Sequence, residues 1–148
     1  MNNVFVFFVE PASYTIDLIN NIHIPKNIGY AFIKSSSYYN EQQSDSDSLE
    51  KMSFLQKINF IMGVFKKKSL IIVNGYNNYV FIFIWMLNFF SKKKKYIGVE
   101  SDTQLKSDVP LLKSIIKTLF LKIIFNSKYV IGLAGGTKTH FDLFLRYG

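Results

Sequence analysis

The stretch from Ser69 to Gln104, SLIIVNGYNNYVFIFIWMLNFFSKKKKYIGVESDTQ, limits the fold more than any other part of the chain. Ser-Leu-Ile-Ile-Val is a short unbroken apolar run, the pattern of a parallel strand buried on both faces. Asn74-Gly75-Tyr76-Asn77-Asn78 breaks the run and can cap the next segment. Tyr79–Phe90 is long enough for a packed helix, and Lys92–Lys95 places cations at its negative C-terminal end. Tyr96–Val99 is a second strand, ending at Glu100-Ser101-Asp102. Both polar turns thus fall at the carboxyl ends of neighbouring strands, the side on which open α/β sheets bind ligands.

The rest of the sequence repeats this unit. Val4–Val9 reads as a first, central strand, and Ser13 or Thr15 can cap a helix over Tyr14–Ile22. Ile28–Lys34 is a second strand after the break at Pro25–Asn27. Ser35–Glu50 is rich in serine, acids and amides, so a mobile loop is expected at residues 35–50. Met52–Phe65 carries a helical stripe of Met52, Leu55, Ile58, Ile61, Met62 and Phe65, closed by Lys66–Lys68. Pro110 opens a helix with a predicted core stripe of Leu112, Ile115, Ile116, Leu119, Phe120 and Ile123, and with Lys113 and Lys117 opposite. Tyr129–Leu133 is a further strand, and Ala134-Gly135-Gly136 turns into a last helix with Thr139–Asp142 as its expected capping box. Strands alternate with helices and none forms a tight hairpin, which predicts one α/β domain over residues 1–148 with a doubly wound, mostly parallel, Rossmann-like sheet. The stop at Arg146-Tyr147-Gly148 reads as a helix end, so the chain is expected to be part of something larger.

Composition narrows the function. The 148 residues contain no cysteine, which excludes disulfides and thiolate chemistry, and only two histidines, His23 and His140, so no metal site is expected. The net charge of +8 rests almost wholly on lysine, with Arg146 the single arginine. Readers of DNA sequence favour arginine, so no nucleic-acid partner is expected; an anionic membrane surface or a phosphorylated ligand fits better. Met1–Glu10 lacks the marks of a signal peptide, and Tyr79–Phe90 is too short to span a bilayer, so a cytoplasmic protein is expected.

Three places offer chemistry. Gly135-Gly136-Thr137-Lys138-Thr139 follows a strand and opens a helix, as an anion cradle does, and as a plain tight turn also does. From Gly132 it falls short of a P-loop because Thr137 stands where the second glycine belongs. Glu100 and Asp102 share one strand face if the strand continues, and a carboxylate there can accept from sugar hydroxyls or act as a base. Asn74, Tyr76, Asn77 and Asn78 present amides and a hydroxyl suited to carbohydrate, although a helix cap accounts for one of them.

Taken together, the strand and turn IIVNGYNN, the aromatic helix after it, YIGVESDTQ, and the ending YVIGLAGGTKTHFDLFLRYG resemble the N-terminal half of a GT-B glycosyltransferase. The type is family 4, found in bacterial capsule and surface-polysaccharide biosynthesis. The resemblance covers the second half of the chain; the first half agrees in pattern only. It implies an acceptor-binding domain of a metal-independent, retaining enzyme, with a glycan or lipid-linked sugar as acceptor at the cytoplasmic membrane. No cofactor is expected here, because the nucleotide-sugar donor and the paired glutamates belong to a C-terminal domain that this chain lacks. It further implies Glu100 and Asp102 as catalytic or polar residues, and Asn74, Gly75, Tyr76, Gly135, Gly136 and Thr137 as acceptor contacts. Many relatives carry a histidine after the strand matching Tyr96–Val99, where this chain has Glu100-Ser101-Asp102. The rival readings are a Rossmann-like nucleotide-binding enzyme such as a methyltransferase, and a non-catalytic membrane-surface adaptor. The first needs a glycine-rich loop after the first strand, where Glu10-Pro11-Ala12-Ser13 stands.

Overall fold

A computed structural model describes residues 3–21, 28–35, 48–101, 111–135 and 138–148; the side chains at 111–113, 139 and 140 lie outside it. Five strands, β1 (Val4–Phe8), β2 (Ile28–Phe32), β3 (Leu70–Asn74), β4 (Tyr96–Ser101) and β5 (Val130–Ala134), form one sheet in the order β2-β1-β3-β4-β5. Every pairing is parallel. Five helices connect and follow them: α1 (Ser13–Asn21), α2 (Phe54–Lys67), α3 (Tyr79–Phe90), α4 (Leu111–Phe125) and α5 (Lys138–Tyr147). The alternation expected from the sequence is therefore present, with strand β4 extended to include Glu100 and Ser101.

The strands are not covered equally on both faces. Side chains alternate along a strand, and Phe7, Ile71, Val73, Ile97 and Val99 are fully buried on one face. On the other, Val4, Val6, Leu70 and Ile72 are half-buried, and Ile131 and Leu133 are exposed. Topology explains the difference. The chain steps one way from β1 to β2 and the opposite way from β2 through β3 and β4 to β5. Right-handed crossovers then put α1 alone on one face and α2, α3 and α4 on the other. Phe60 of α2 meets Phe5 and Phe7 edge-on, at 6.0 and 6.4 Å. Phe144 of α5 lies where a side chain at position 132 would go, so Gly132 is needed for that helix to approach β5.

α3 begins and ends as its sequence predicts and α2 buries Ile61 and Phe65 of its predicted stripe, but α4 turns another face inward than the predicted one. In α4 the buried residues are Leu121, Ile124 and Phe125, while Ile115, Ile116, Leu119 and Ile123 of the predicted core stripe face solvent. Lys117 marks the buried side as polar in the first half of the helix, but Leu121, Ile124 and Phe125, four, seven and eight residues on, make the same side apolar in the second half. α2 buries Ile61, Val64 and Phe65 and leaves Leu55 exposed. It starts at a capping box, in which Ser53 accepts from the Gln56 N–H and Gln56 accepts from the Ser53 N–H. In α5, Thr139 lies inside the helix rather than at its cap, because the helix starts at Lys138.

The expected loop at 35–50 is anchored at its far end. Ser48 bridges Phe32 in parallel, Leu49 is fully buried, and the Ser35 N–H donates to the Glu50 carboxylate at 2.7 Å. Leucine supplies the burial that the surrounding polar residues do not. Residues 36–47 lie outside the described residues.

Candidate functional site at the carboxyl edge of the sheet

Because all strands run parallel, the carboxyl ends of β1, β2, β3, β4 and β5 share one edge. The turn after β3 is shaped by two residues. Gly75 adopts φ +89, a left-handed conformation that costs an L-residue about 1–2 kcal/mol. Asn78 caps α3: its Oδ1 accepts from the Phe81 N–H at 2.9 Å, and its Nδ2 donates to the carbonyls of Asn74 and Gly75 at 2.9 and 2.6 Å.

This folding brings two of the expected site residues together. Asn74 is the register partner of Glu100 across β3 and β4, and its Nδ2 donates to Glu100 Oε2 at 3.1 Å. The Gly75 N–H donates to the Glu100 carbonyl at 2.7 Å, so the main chains are tied as well. Both side chains are half-buried. Glu100 has a second carboxylate oxygen and Asn74 an amide oxygen, two acceptors that match the O–H donors of vicinal hydroxyls.

Tyr76 takes a different position. Its ring is buried against Phe125, with centroids 6.2 Å apart, and with Asn77, Ile116, Lys117 and Phe120 it lines an open cleft of about 430 Å³. Gly135 follows the end of β5 and is exposed. Asp102, Gly136, Thr137 and His23 lie outside the described residues. His140 falls in the first turn of α5.

Farther along the same edge, the Ser35 N–H holds the Glu50 carboxyl below the usual glutamate range, with the Ser35 hydroxyl assisting. Burial raises the Tyr79 phenol at the start of α3, and the Glu50 carboxylate adds to the rise. Among the described residues no group of histidines and carboxylates is arranged to hold a metal.

Sequence reasoning reads the lysine clusters as helix-end cations and as the basis of a membrane-surface reading, without placing them together on the opposite edge. Lys66–Lys68 lead into β3, Lys92–Lys95 into β4 and Lys128 into β5, so the parallel sheet gathers them on its amino edge. The signal was present in the sequence as lysines immediately before three successive strands.

Comparison with protein-family models, with curated proteins and with solved structures gave no match.

Proposed function

We propose that this chain is the acceptor-binding half of a two-domain glycosyltransferase that moves a sugar from a nucleotide-sugar to a glycan or lipid-linked sugar acceptor. The observation that supports this reading is the hydrogen-bonded Asn74–Glu100 pair at the carboxyl ends of adjacent parallel strands. Ligands of open α/β sheets bind on that side. Carboxylate and amide together recognise sugar hydroxyls, and the neighbouring cleft offers apolar rings beside polar groups for a pyranose. In the reaction, the acceptor hydroxyl loses its proton as it bonds to the sugar, and the nucleoside diphosphate departs. Glu100 orients that hydroxyl or accepts its proton; Asn74 fixes the carboxylate. The donor and its pyrophosphate belong to the partner domain, so the isolated chain transfers no sugar.

Titration of the isotope-labelled chain with a panel of oligosaccharides, followed by NMR, tests the reading. Shifts are expected at Asn74–Asn78 and Glu100, and Glu100→Gln should weaken them about tenfold, the worth of one hydrogen bond to a charged group. Shifts confined to other regions, or sugar transfer by the 148-residue chain alone, would count against it. Nucleotide-sugars and methyl-donor cofactors should give no heat in calorimetry, whereas the nucleotide-binding rival requires it.

A further inference from the structure

We infer that the amino edge of the sheet is a docking surface for an anionic lipid membrane. The observations stand apart from the carboxyl edge and do not depend on the glycosyltransferase reading. Eight lysines, Lys66–Lys68, Lys92–Lys95 and Lys128, lie in the segments that enter β3, β4 and β5. Between Glu50 and Glu100 the sequence has no acidic residue. Nor does any stand in the described residues leading into β1, β3, β4 and β5.

Aromatic rings are interleaved with these lysines. Trp85 and Phe89 pack at 5.7 Å, Phe89 and Phe90 at 5.2 Å, and Tyr96 and Tyr129 at 5.9 Å. Lys94 lies 5.8 Å over the Phe89 ring and Lys128 5.3 Å over the Tyr129 ring. A groove of about 140 Å³ joins the end of α3 to the end of α4, with Trp85, Phe89, Lys94, Ile123 and Tyr129 in its walls. Phe90 is 78% exposed and Ile123 61% exposed. Transfer of solvent-facing Phe and Ile of this kind from water into the headgroup region lowers the free energy, and the half-buried Trp85 lies beside them.

The position is built rather than frayed. The Asn88 side chain, buried within α3, donates to the Lys95 carbonyl at 3.0 Å and accepts from the Lys95 N–H at 2.7 Å. Lys94 Nζ donates to the carbonyls of Asn88 and Phe89 at 2.8 and 2.7 Å and so closes the helix. Lys92 and Lys93 of the same loop are exposed. Cations beside amphipathic aromatic rings are the pairing found where proteins rest on anionic bilayers. A nucleic-acid surface would draw on arginine for its phosphates, whereas the cations in the segments entering β3, β4 and β5 are all lysine and the single arginine, Arg146, stands in the last turn of α5. No described helix is long and apolar enough to cross a membrane, so the surface rests on the bilayer and does not pass through it.

Vesicle co-sedimentation of the full 148-residue chain tests this. Binding is expected to vesicles containing one-third phosphatidylserine and not to pure phosphatidylcholine, and it should fall at high salt. Trp85, the single tryptophan, should shift its emission to the blue when the anionic vesicles bind. Each surface lysine is worth about fivefold in partitioning, so the triple variant Lys92→Glu, Lys93→Glu, Lys128→Glu, which also adds repulsion, should bind at least about a hundredfold more weakly. Lys94 is spared because it caps the helix. Phe90→Ser, at an exposed position, should weaken binding while retaining the salt dependence, and Glu100→Gln at the other edge should leave it unchanged. Circular dichroism confirms that each variant is folded. Equal binding to both vesicle types, binding that survives the charge reversal, a preference for a single-stranded oligonucleotide over the vesicles, or a dimer that hides Trp85 would each overturn the inference. A failed oligosaccharide titration would leave it standing.

Discussion

α3 carries an asparagine at each end, and the two hold opposite edges of the sheet in different ways. Asn78 stands at the N-terminus and works locally, with all three of its hydrogen bonds within four residues. Asn88 lies inside the last turn and reaches forward seven residues, to the main chain that enters β4. The first shapes the turn that presents Asn74 and Glu100; the second shapes the loop that presents the lysines. A cap needs only helix geometry, whereas the Asn88 contact also fixes the path of the loop that leads into β4. The turn at residues 74–78 is thus shaped by its own residues, and the lysine loop by a bond to the main chain that enters β4.

Replacement of both asparagines puts that difference to the test. Asn88→Ala leaves the Lys95 N–H and C=O without their partner in a half-buried place and should cost about 2–3 kcal/mol in urea unfolding. It should also open the loop to trypsin at Lys92–Lys95, with little change in the turn at residues 74–78. Asn78→Ala should cost about 1 kcal/mol, the usual worth of an N-cap, and should disturb NMR signals around Gly75 and Glu100 without exposing the lysine loop. A larger loss from Asn78→Ala, or tryptic opening of the loop in that variant, would reverse the assignment of the two edges.

The smallest effect belongs to Glu50, at the outer end of the carboxyl edge. Its folded carboxyl titrates below the ordinary range, so its bond to Ser35 stabilises the fold above the unfolded value of about 4.3 and is lost as pH falls through the folded one. Glu50→Gln should therefore unfold slightly more easily than the parent at neutral pH, and the two should converge in acid. A gap between them that widens on acidification would show that Glu50 has another role. Because the carboxyl is fully exposed, the gap should be near the limit of detection by thermal melts.

The order of elements was legible because short apolar runs and polar breaks alternate without exception from Val4 to Tyr147. Tyr79–Phe90 was readable to the residue, since Asn78 and the lysines mark both of its ends. The inward face of α4 was not. Ile115, Ile116, Leu119 and Ile123 repeat with a convincing period, yet Leu121, Ile124 and Phe125 supply the core. Lys117 shares its side of the helix with Leu121, Ile124 and Phe125, so the neighbours decide, and those neighbours are Tyr76, Phe144 and the sheet. The pairing of Asn74 with Glu100 followed from two polar turns at adjacent strand ends, a relation that parallel register makes predictable. The burial of Tyr76 was not predictable from a turn composition that suits solvent.

The short bond from the Gly75 N–H to the Glu100 carbonyl joins the two strand ends through main-chain atoms alone. Exchange of the side chain at position 74 or 100 leaves that bond in place. A lineage carrying this sequence can therefore substitute one rim residue for another while the spacing across the rim is inherited unchanged. Position is carried by the backbone and specificity by the side chains, so each can drift without the other.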